Sequence, residues 1–338
     1  MRKMMNRACL ALLLVVLAAP VQALTLKVAT LAPAGTTWLK EMQAGAQRVE
    51  DQTEGRLSIK FYPGGVMGND ATVLRKIRIG QLHGGAFTAG GLVSIYPDAQ
   101  IYGLPFLLRT YAEVDHLRKK FDAELKAGFA ERGWLAVGLS EGGFSYLMSQ
   151  QPVKAVDDLS GQKVWVPEGD QIAITAFQKA GVSPVTLPIP DVYTGLQTRL
   201  INTVTNSPSG AIALQWHTGV KYLTDVPLSY ILGTMIFADK ALRGVSAADR
   251  AVLTAEMSTA FTRLDEINRR DNREARAALE KLGIQPVEPG AAELARWQQV
   301  ADAAIEALRD DGLYTPALYD RIRRELDRIR SEQALARP

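Results

Sequence analysis

The segment over 247–282 constrains the fold most, because its pattern predicts one helix of roughly 50 Å, longer than a small domain is wide. Ser246 and Asp249 form a capping-box start, and Gly283 marks the end. Apolar stripes occupy both ends, whereas NRRDNRE at 268–274 is polar on every face. A helix with a polar middle commonly bridges two domains through solvent. The alternative is two shorter helices with an uncapped break, although no Pro or Gly marks one.

Two series of predicted strands and helices precede this segment. Each predicted strand is a short run of alternating apolar and polar residues, and a helical pattern follows it. The first begins with TLKVATLAP at 25–33 and the second with FSYLMSQ at 144–150. Alternating strands and helices predict an α/β protein with a mainly parallel sheet and helices on both faces. The chain is long enough for two such domains. A last amphipathic helix, over 314–330, either packs on a domain surface or pairs with another chain.

The N-terminus has the three parts of a secretory signal peptide. A basic start is followed by an apolar run, and small residues precede a cleavage site after Ala23. We therefore predict a signal peptide over 1–23 and a periplasmic protein, with a retained anchor as the alternative. Cys9 is the single cysteine and lies in this leader, so the mature chain has no thiol, disulfide or cysteine ligand.

Charge and motifs exclude several classes of function. The leader residues Arg2, Lys3 and Arg7 account for the net charge of +3, so the mature chain is formally neutral. Without a basic block, binding to nucleic acid or strong adhesion to a membrane loses support. The three histidines are far apart, and no HExxH, GxSxG or P-loop motif occurs. We therefore expect no enzyme activity, no metal and no cofactor.

Five motifs follow one another in a specific order. They are YPGGVMGND at 62–70, GLPFLLRTYAEVD at 103–115, VDDLSGQKVWVPEG at 156–169, DVYTGLQTRLINTVTNSP at 191–208 and VKYL at 220–223. With the long helix after them, they make the chain resemble the DctP-type solute-binding proteins of the tripartite ATP-independent periplasmic (TRAP) transporters. The resemblance covers nearly the whole mature chain.

This resemblance implies a two-domain periplasmic-binding-protein fold, with a ligand cleft between the domains and a hinge-closure cycle. We place domain I at 24–142 plus about 225–262, domain II at 143–224 plus about 263–313, a bridging helix at 247–282, and a C-terminal helix and tail at 314–338. The implied function is capture of a small organic ligand for a small and a large membrane subunit. The alternative is a sensor or a carrier of hydrophobic ligands without a permease. We expect a monomer, or a dimer through the C-terminal helix.

The expected ligand departs from the family pattern. Members usually hold an organic acid with an arginine in a strand of the form K-[ILV]-R-[VT]-P. Here the strand reads KVWVP at 163–167, so Trp165 takes the arginine position, and Ser145 replaces a second arginine of many members. A tryptophan cannot form a bidentate pair with a carboxylate. We therefore expect a neutral, aromatic or otherwise apolar ligand.

Eight residues are candidate ligand contacts. The family pattern indicates Trp165, Ser145, Asn206, Tyr193 and Glu141, and the loops and strand ends of the first series indicate Trp38, Phe87 and Thr88. Trp165 and Trp38 have an alternative role in the core, because parallel strands and helix stripes bury large apolar side chains. A cation held over the Trp165 ring, with Glu141 as its partner, is a further alternative.

Overall fold

The computed structural model describes residues 23–335 and shows helices packed around a central sheet. The signal peptide predicted over 1–23 lies outside the described residues, apart from Ala23. Within 23–335, no helix is both long and apolar enough to cross a membrane.

The strands in this range are β1 Leu24–Thr30, β2 Leu57–Tyr62, β3 Gly84–Thr88, β4 Trp134–Ser149, β5 Trp165–Pro167, β6 Val185–Leu187, β7 Thr203–Asn206, β8 Tyr222–Thr224, β9 Ser229–Ala238 and β10 Gln285–Val287. The α-helices are α1 Thr37–Gln52, α2 Asp70–Arg78, α3 Tyr111–Glu131, α4 Gln171–Lys179, α5 Val192–Gln197, α6 Pro208–Ala213, α7 Ala247–Lys281, α8 Ala291–Asp310 and α9 Pro316–Leu335. Strands and helices alternate through the first two-thirds of the chain, which confirms the predicted α/β class.

The main sheet has eight strands, in the order β10-β8-β4-β9-β3-β1-β2, with β7 also paired to β4. β5 and β6 form a separate parallel pair. β1 is parallel to both β2 and β3, but β9 is antiparallel to β3 and β4. The expectation of a mainly parallel sheet is therefore wrong for its middle. The reason is that β4 and β9 carry the chain in opposite directions between the two halves of the molecule.

β4 belongs to both halves of the molecule. Its first part, Trp134–Ser145, pairs with β9, and its last part, Tyr146–Ser149, pairs with β7 and β8. A register shift between Glu141 and Gly143 lies within the first part, shortly before the strand changes partners. Gly143 has φ +93°, a conformation that favours glycine, so the strand can bend here without strain.

Buried apolar side chains form four clusters, two in each half. In the first half, one cluster lies between the sheet and α2, α3 and α9, and the other between the sheet and α1 and α7. In the second half, one surrounds Trp165 and Trp216, and the other surrounds Phe177 and Trp297. We propose that these halves are the two domains predicted from the sequence, and we call them domain I and domain II.

α7 is one uninterrupted helix of 35 residues, so the alternative of two helices with a break is wrong. The Ser246 hydroxyl caps it by accepting a hydrogen bond from the Asp249 N–H at 3.0 Å. In the domain I part, Met257 is buried against α1 and the sheet. In the domain II part, Leu279 is buried in the cluster around Trp165. One rigid helix therefore contributes to the cores of both domains.

The polar middle of α7 is not solvated on every face, which corrects the interpretation of its sequence. Asn268 and Asn272 are only 4% and 7% exposed. The Asn268 amide donates to the carbonyl of Glu141, and the Asn272 amide donates to the carbonyl of Gly142 at 3.0 Å. Both carbonyls lie at the bend of β4, where the irregular register leaves backbone groups in need of partners. The two asparagines therefore fasten α7 to the bend.

The last two helices return the chain from domain II to domain I. α8 places Trp297 in a domain II cluster. α9 buries Leu318, Ile322, Leu326 and Ile329 in a domain I cluster that includes residues of α3. Of the two roles predicted for the C-terminal helix, the structure thus shows packing on a domain surface of its own chain.

Gly138 of β4 allows α7 to lie directly on the strand. A Cβ at this position would stand 2.6 Å from the Cβ of Phe261, closer than real Cβ atoms approach. We expect Gly138→Ala to lower the free energy of unfolding by about 2 kcal/mol, because strand and helix must move apart. Urea unfolding measures this change.

Gly103→Ala is the matched control. Its added Cβ would meet the Tyr230 carbonyl oxygen at 3.5 Å, an ordinary contact. We expect a change below about 0.5 kcal/mol. Equal losses in the two variants would contradict the close approach of α7 to β4 at Gly138.

Candidate functional site

A cavity of about 380 Å³ lies between domain I and domain II, a volume within the range of small-molecule sites. The ends of β1 and β3 line it from domain I, and β5, β7 and α4 line it from domain II. β4, β9 and α7 pass beside it. Nine of the lining residues are aromatic: Trp38, Phe87, Phe106, Trp165, Phe177, Trp216, Tyr230, Phe261 and Trp297.

The lining carries little charge. Glu141 and Asp170 are its ionisable carboxylates, and within residues 23–335 no Lys, Arg or His side chain lines the cavity. A site of this composition can enclose an apolar body, but it offers no cationic group to pair with a carboxylate.

Seven of the eight candidate residues line this cavity. They are Trp38, Phe87, Thr88, Glu141, Ser145, Trp165 and Asn206. Tyr193 differs from the expectation. It stands on the first turn of α5 with 40% of its surface exposed, and it is not part of the cavity lining. The structure therefore brings together residues from both domains, and the ligand contact of each stays a prediction.

Trp165 combines the two roles that its sequence position left open. It borders the cavity, yet it is only 2% exposed and belongs to a domain II core cluster. Its indole N–H donates to the Leu187 carbonyl at 3.0 Å, and its ring meets Trp216 edge-to-face with centroids 4.8 Å apart. The N–H is thus already used, and Trp165 presents only apolar ring surface to a ligand.

Glu141 belongs to a buried network of an ion pair and hydrogen bonds. Its side chain is 0% exposed and forms an ion pair with Arg269. It also accepts a hydrogen bond from the Tyr230 hydroxyl. Arg269 extends to Asp115 with a contact of 2.6 Å. Burial raises the pKa of Glu141, and the Arg269 and Tyr230 hydrogen bonds oppose that shift. In this structure Arg269 already stands beside Glu141 as its cationic partner, and the alternative of a ligand cation paired with Glu141 stays a prediction.

The two domains touch at the mouth of the cavity. The Asn69 amide donates to the Glu168 carboxylate at 2.6 Å, and the Arg109 guanidinium donates to the Gln298 side chain at 3.2 Å. Phe106 stacks on Trp297 with ring centroids 6.5 Å apart. These contacts join residues from opposite sides of the cleft, so the two domains touch each other beside the cavity.

Residues 28–310 match the profile of the DctP family, described as bacterial extracellular solute-binding protein, family 7. The chain belongs to this family. The match spans most of the described residues, including both domains and the long helix. The family and its solved structures are solute-binding proteins, which agrees with the lack of a catalytic motif in the sequence.

Curated DctP relatives are similar over part of their length. The sialic acid-binding periplasmic protein SiaP of Vibrio cholerae is 26% identical over 206 residues, which cover 59% of this chain and 63% of SiaP. The 2,3-diketo-L-gulonate-binding periplasmic protein YiaO of Escherichia coli is 29% identical over 159 residues, 46% of this chain and 47% of YiaO. The chain thus spans about half to two-thirds of the length of these relatives.

Solved structures share the whole fold. A TRAP periplasmic solute-binding protein from Desulfovibrio salexigens, with bound orotic acid, superposes with a TM-score of 0.82 and 21% identity, over 90% of this chain and 99% of that one. One from Citrobacter koseri, with bound D-glucuronate, gives 0.78 and 21%, over 88% and 98%. These likenesses confirm the predicted two-domain periplasmic-binding-protein fold.

Several residues that line the cavity of this DctP protein were not predicted from the sequence. They are Gln100, Ser140, Asp170, Phe177 and Trp297. Asp170 carried a usable signal, because it follows a strand and caps a helix, and ligands in open α/β sheets bind at the carboxyl ends of strands. Gln100 and Trp297 carried none, because they reach the cavity from a 3-10 helix and from α8, far from the family motifs.

Asp70, the first residue of α2, lies on the domain I side near the cavity. Its carboxylate sits so close to Gly91 that a Cβ there would overlap it. Burial raises the pKa of Asp70 to about 7. Because an unfolded aspartate has a pKa of about 4, the folded protein should lose stability as the pH rises through 7.

We expect Asp70→Asn to abolish this loss. Between pH 5 and pH 8 the free energy of unfolding of the wild type should fall relative to the variant by up to about 3 kcal/mol. Urea unfolding across that pH range measures the difference. Asp191→Asn, which removes an exposed carboxylate, is the control and should follow the wild type. A wild-type profile that runs parallel to Asp70→Asn would contradict the buried state of Asp70.

Proposed function

We propose that this protein is the extracytoplasmic solute-binding subunit of a TRAP-type secondary transporter. The observation that carries the proposal is an aromatic-lined cavity between two domains connected by β4, β9 and α7. Domains joined in this way move as rigid bodies about the crossing segments. A solute enters the open cleft, is enclosed on closure and is handed to a small and a large membrane subunit.

The contacts at the cleft mouth support such a cycle. Opening breaks the Asn69–Glu168 hydrogen bond and the Phe106–Trp297 stack, and Glu168 is exposed. An exposed hydrogen bond contributes only about 1 kcal/mol, so these contacts hold the closed form weakly by themselves. A ligand that contacts both domains binds the closed form more tightly and shifts the population towards it.

The proposed ligand is aromatic or otherwise apolar, or neutral, and is not a simple carboxylate clamped by arginine. Support comes from the aromatic lining and from the lack of a lining cation within residues 23–335. An enclosed carboxylate without a cationic partner costs several kcal/mol in order of magnitude. The Desulfovibrio and Citrobacter proteins hold carboxylates, but at 21% identity their ligands are not a guide to this one.

We further propose that the leader over 1–23 is cleaved after Ala23 and that the mature protein acts in the periplasm as a monomer. The family description as extracellular supports the compartment. Burial of the apolar stripe of α9 on domain I supports the monomer, because that stripe is not free to pair with another chain.

Native mass spectrometry of freshly purified protein tests solute binding directly. We expect one retained small molecule per chain and a single-chain mass. Calorimetry then compares orotate, D-glucuronate and sialic acid with apolar aromatic compounds. Micromolar or tighter binding of any of these carboxylates would overturn the proposed ligand class, and a protein that binds no solute in either assay would overturn the proposed function.

Ala176 of α4 lines the cavity, whereas Gln178, two residues later on the same helix, is exposed. We expect Ala176→Phe to fill part of the cavity and to weaken binding of the retained ligand by at least about tenfold, without loss of fold. Gln178→Phe adds the same ring on the solvent side and should bind like the wild type. Calorimetry measures both, and equal affinity in the two variants would place the ligand elsewhere.

A further inference from the structure

Asp170 has a distinctive place among the lining residues. It follows β5 and caps α4, where its Oδ1 accepts a hydrogen bond from the Ala173 N–H at 3.0 Å. Its Oδ2 faces domain I, since a Cβ at Gly90 would lie 3.4 Å from that oxygen. The carboxylate therefore lines the cavity at the point where the two domains meet.

The Asp170 carboxylate has no cationic partner in the part of the chain that the structure describes. Within residues 23–335, no Lys, Arg or His forms an ion pair with it, in contrast to Glu141, which Arg269 neutralises. Burial raises the pKa of Asp170, while the backbone N–H groups of Ala173 and Ile172 oppose that shift. An enclosed carboxylate without a cation repels anions and attracts a positive charge.

Two buried acceptors in the same lining are an independent observation. Gln100 and Ser140 are 3% and 7% exposed, and neither the Gln100 Oε1 nor the Ser140 Oγ has a hydrogen-bond partner in the described chain. The Gln100 orientation is determined, because its Nε2 donates to the Leu313 carbonyl. Buried acceptors without partners are rare in folded proteins. A ligand in the cavity can donate hydrogen bonds to these two oxygen atoms.

We propose that the ligand carries a protonated amine that pairs with Asp170, and an apolar body that contacts the aromatic lining. The inference rests on the proposed function and selects, among apolar ligands, those with a basic group. Further N–H or O–H groups of the ligand would donate to Gln100 and Ser140. Aromatic rings around the amine add attraction, because their faces are negative.

The test uses probes that differ only at one end. Tryptamine, tryptophol and indole-3-acetate carry an amine, a hydroxyl or a carboxylate on an indole, and 2-phenylethylamine, 2-phenylethanol and phenylacetate do so on a benzene ring. Calorimetry with wild-type protein should show each amine binding at least about tenfold more tightly than its alcohol, with the acids weakest.

Asp170→Asn isolates the charge, because asparagine caps a helix as well as aspartate does. The variant should reach at least the wild-type urea midpoint, because burial of the charge no longer opposes folding, and it should lose about tenfold or more in amine affinity, with little change for the alcohols. Asp191→Asn, outside the cavity, should leave all affinities unchanged.

Alcohols or acids that bind as tightly as the amines, or an amine preference that survives in Asp170→Asn, would overturn the inference and leave the proposed function standing. Failure of every probe to bind would also overturn the inference. Native mass spectrometry tests the proposed function separately, because it detects any retained solute without the probes.

Discussion

The hydrogen bonds from Asn268 and Asn272 to the carbonyls of β4 are the constraint on which the two-domain architecture depends. They attach the long helix α7 to the chain at the bend of β4, shortly before this strand exchanges β9 for β7 and β8 as its partners. Asn268 also accepts from the indole of Trp38, which ties the first helix of domain I to the same point. The bend is therefore held by side chains of α7, and α1 is attached at the same point.

The charged and polar groups near the cleft determine which side chains face a ligand. Arg269, which also lies in the polar middle of α7, forms ion pairs with Glu141 and Asp115 and does not line the cavity. The indole N–H of Trp165 donates its hydrogen bond to the Leu187 carbonyl. What remains toward the ligand is aromatic surface, a few neutral polar atoms and the carboxylate of Asp170. Trp165 thus belongs to a lining that, within residues 23–335, contains no cationic side chain.

Much of this architecture follows from local patterns, and the rest depends on long-range contacts. Periodicity and caps predict α7, because its ends carry apolar stripes and Ser246 begins it. They do not reveal that Asn268 and Asn272 are buried, because the partners of these residues are backbone carbonyls on a distant strand. The alternation that predicts a strand does not show whether it is parallel or antiparallel to its neighbours. The antiparallel pairing of β9 was therefore not predicted. Family motifs indicate Trp165 and Asn206, but they do not reveal that Glu141 pairs with an arginine 128 positions away.

The position of β9 has a consequence for the order in which the chain can fold. β9 lies between β3 and β4, yet in the sequence it follows the first segment of domain II, 143–224. Until residue 238 has been made, β3 presents an unpaired edge and domain I lacks its central strand. Stable folding must therefore wait until most of the chain has emerged. Late completion of this kind suits a protein that, as we propose, crosses a membrane as an unfolded chain and folds on the far side.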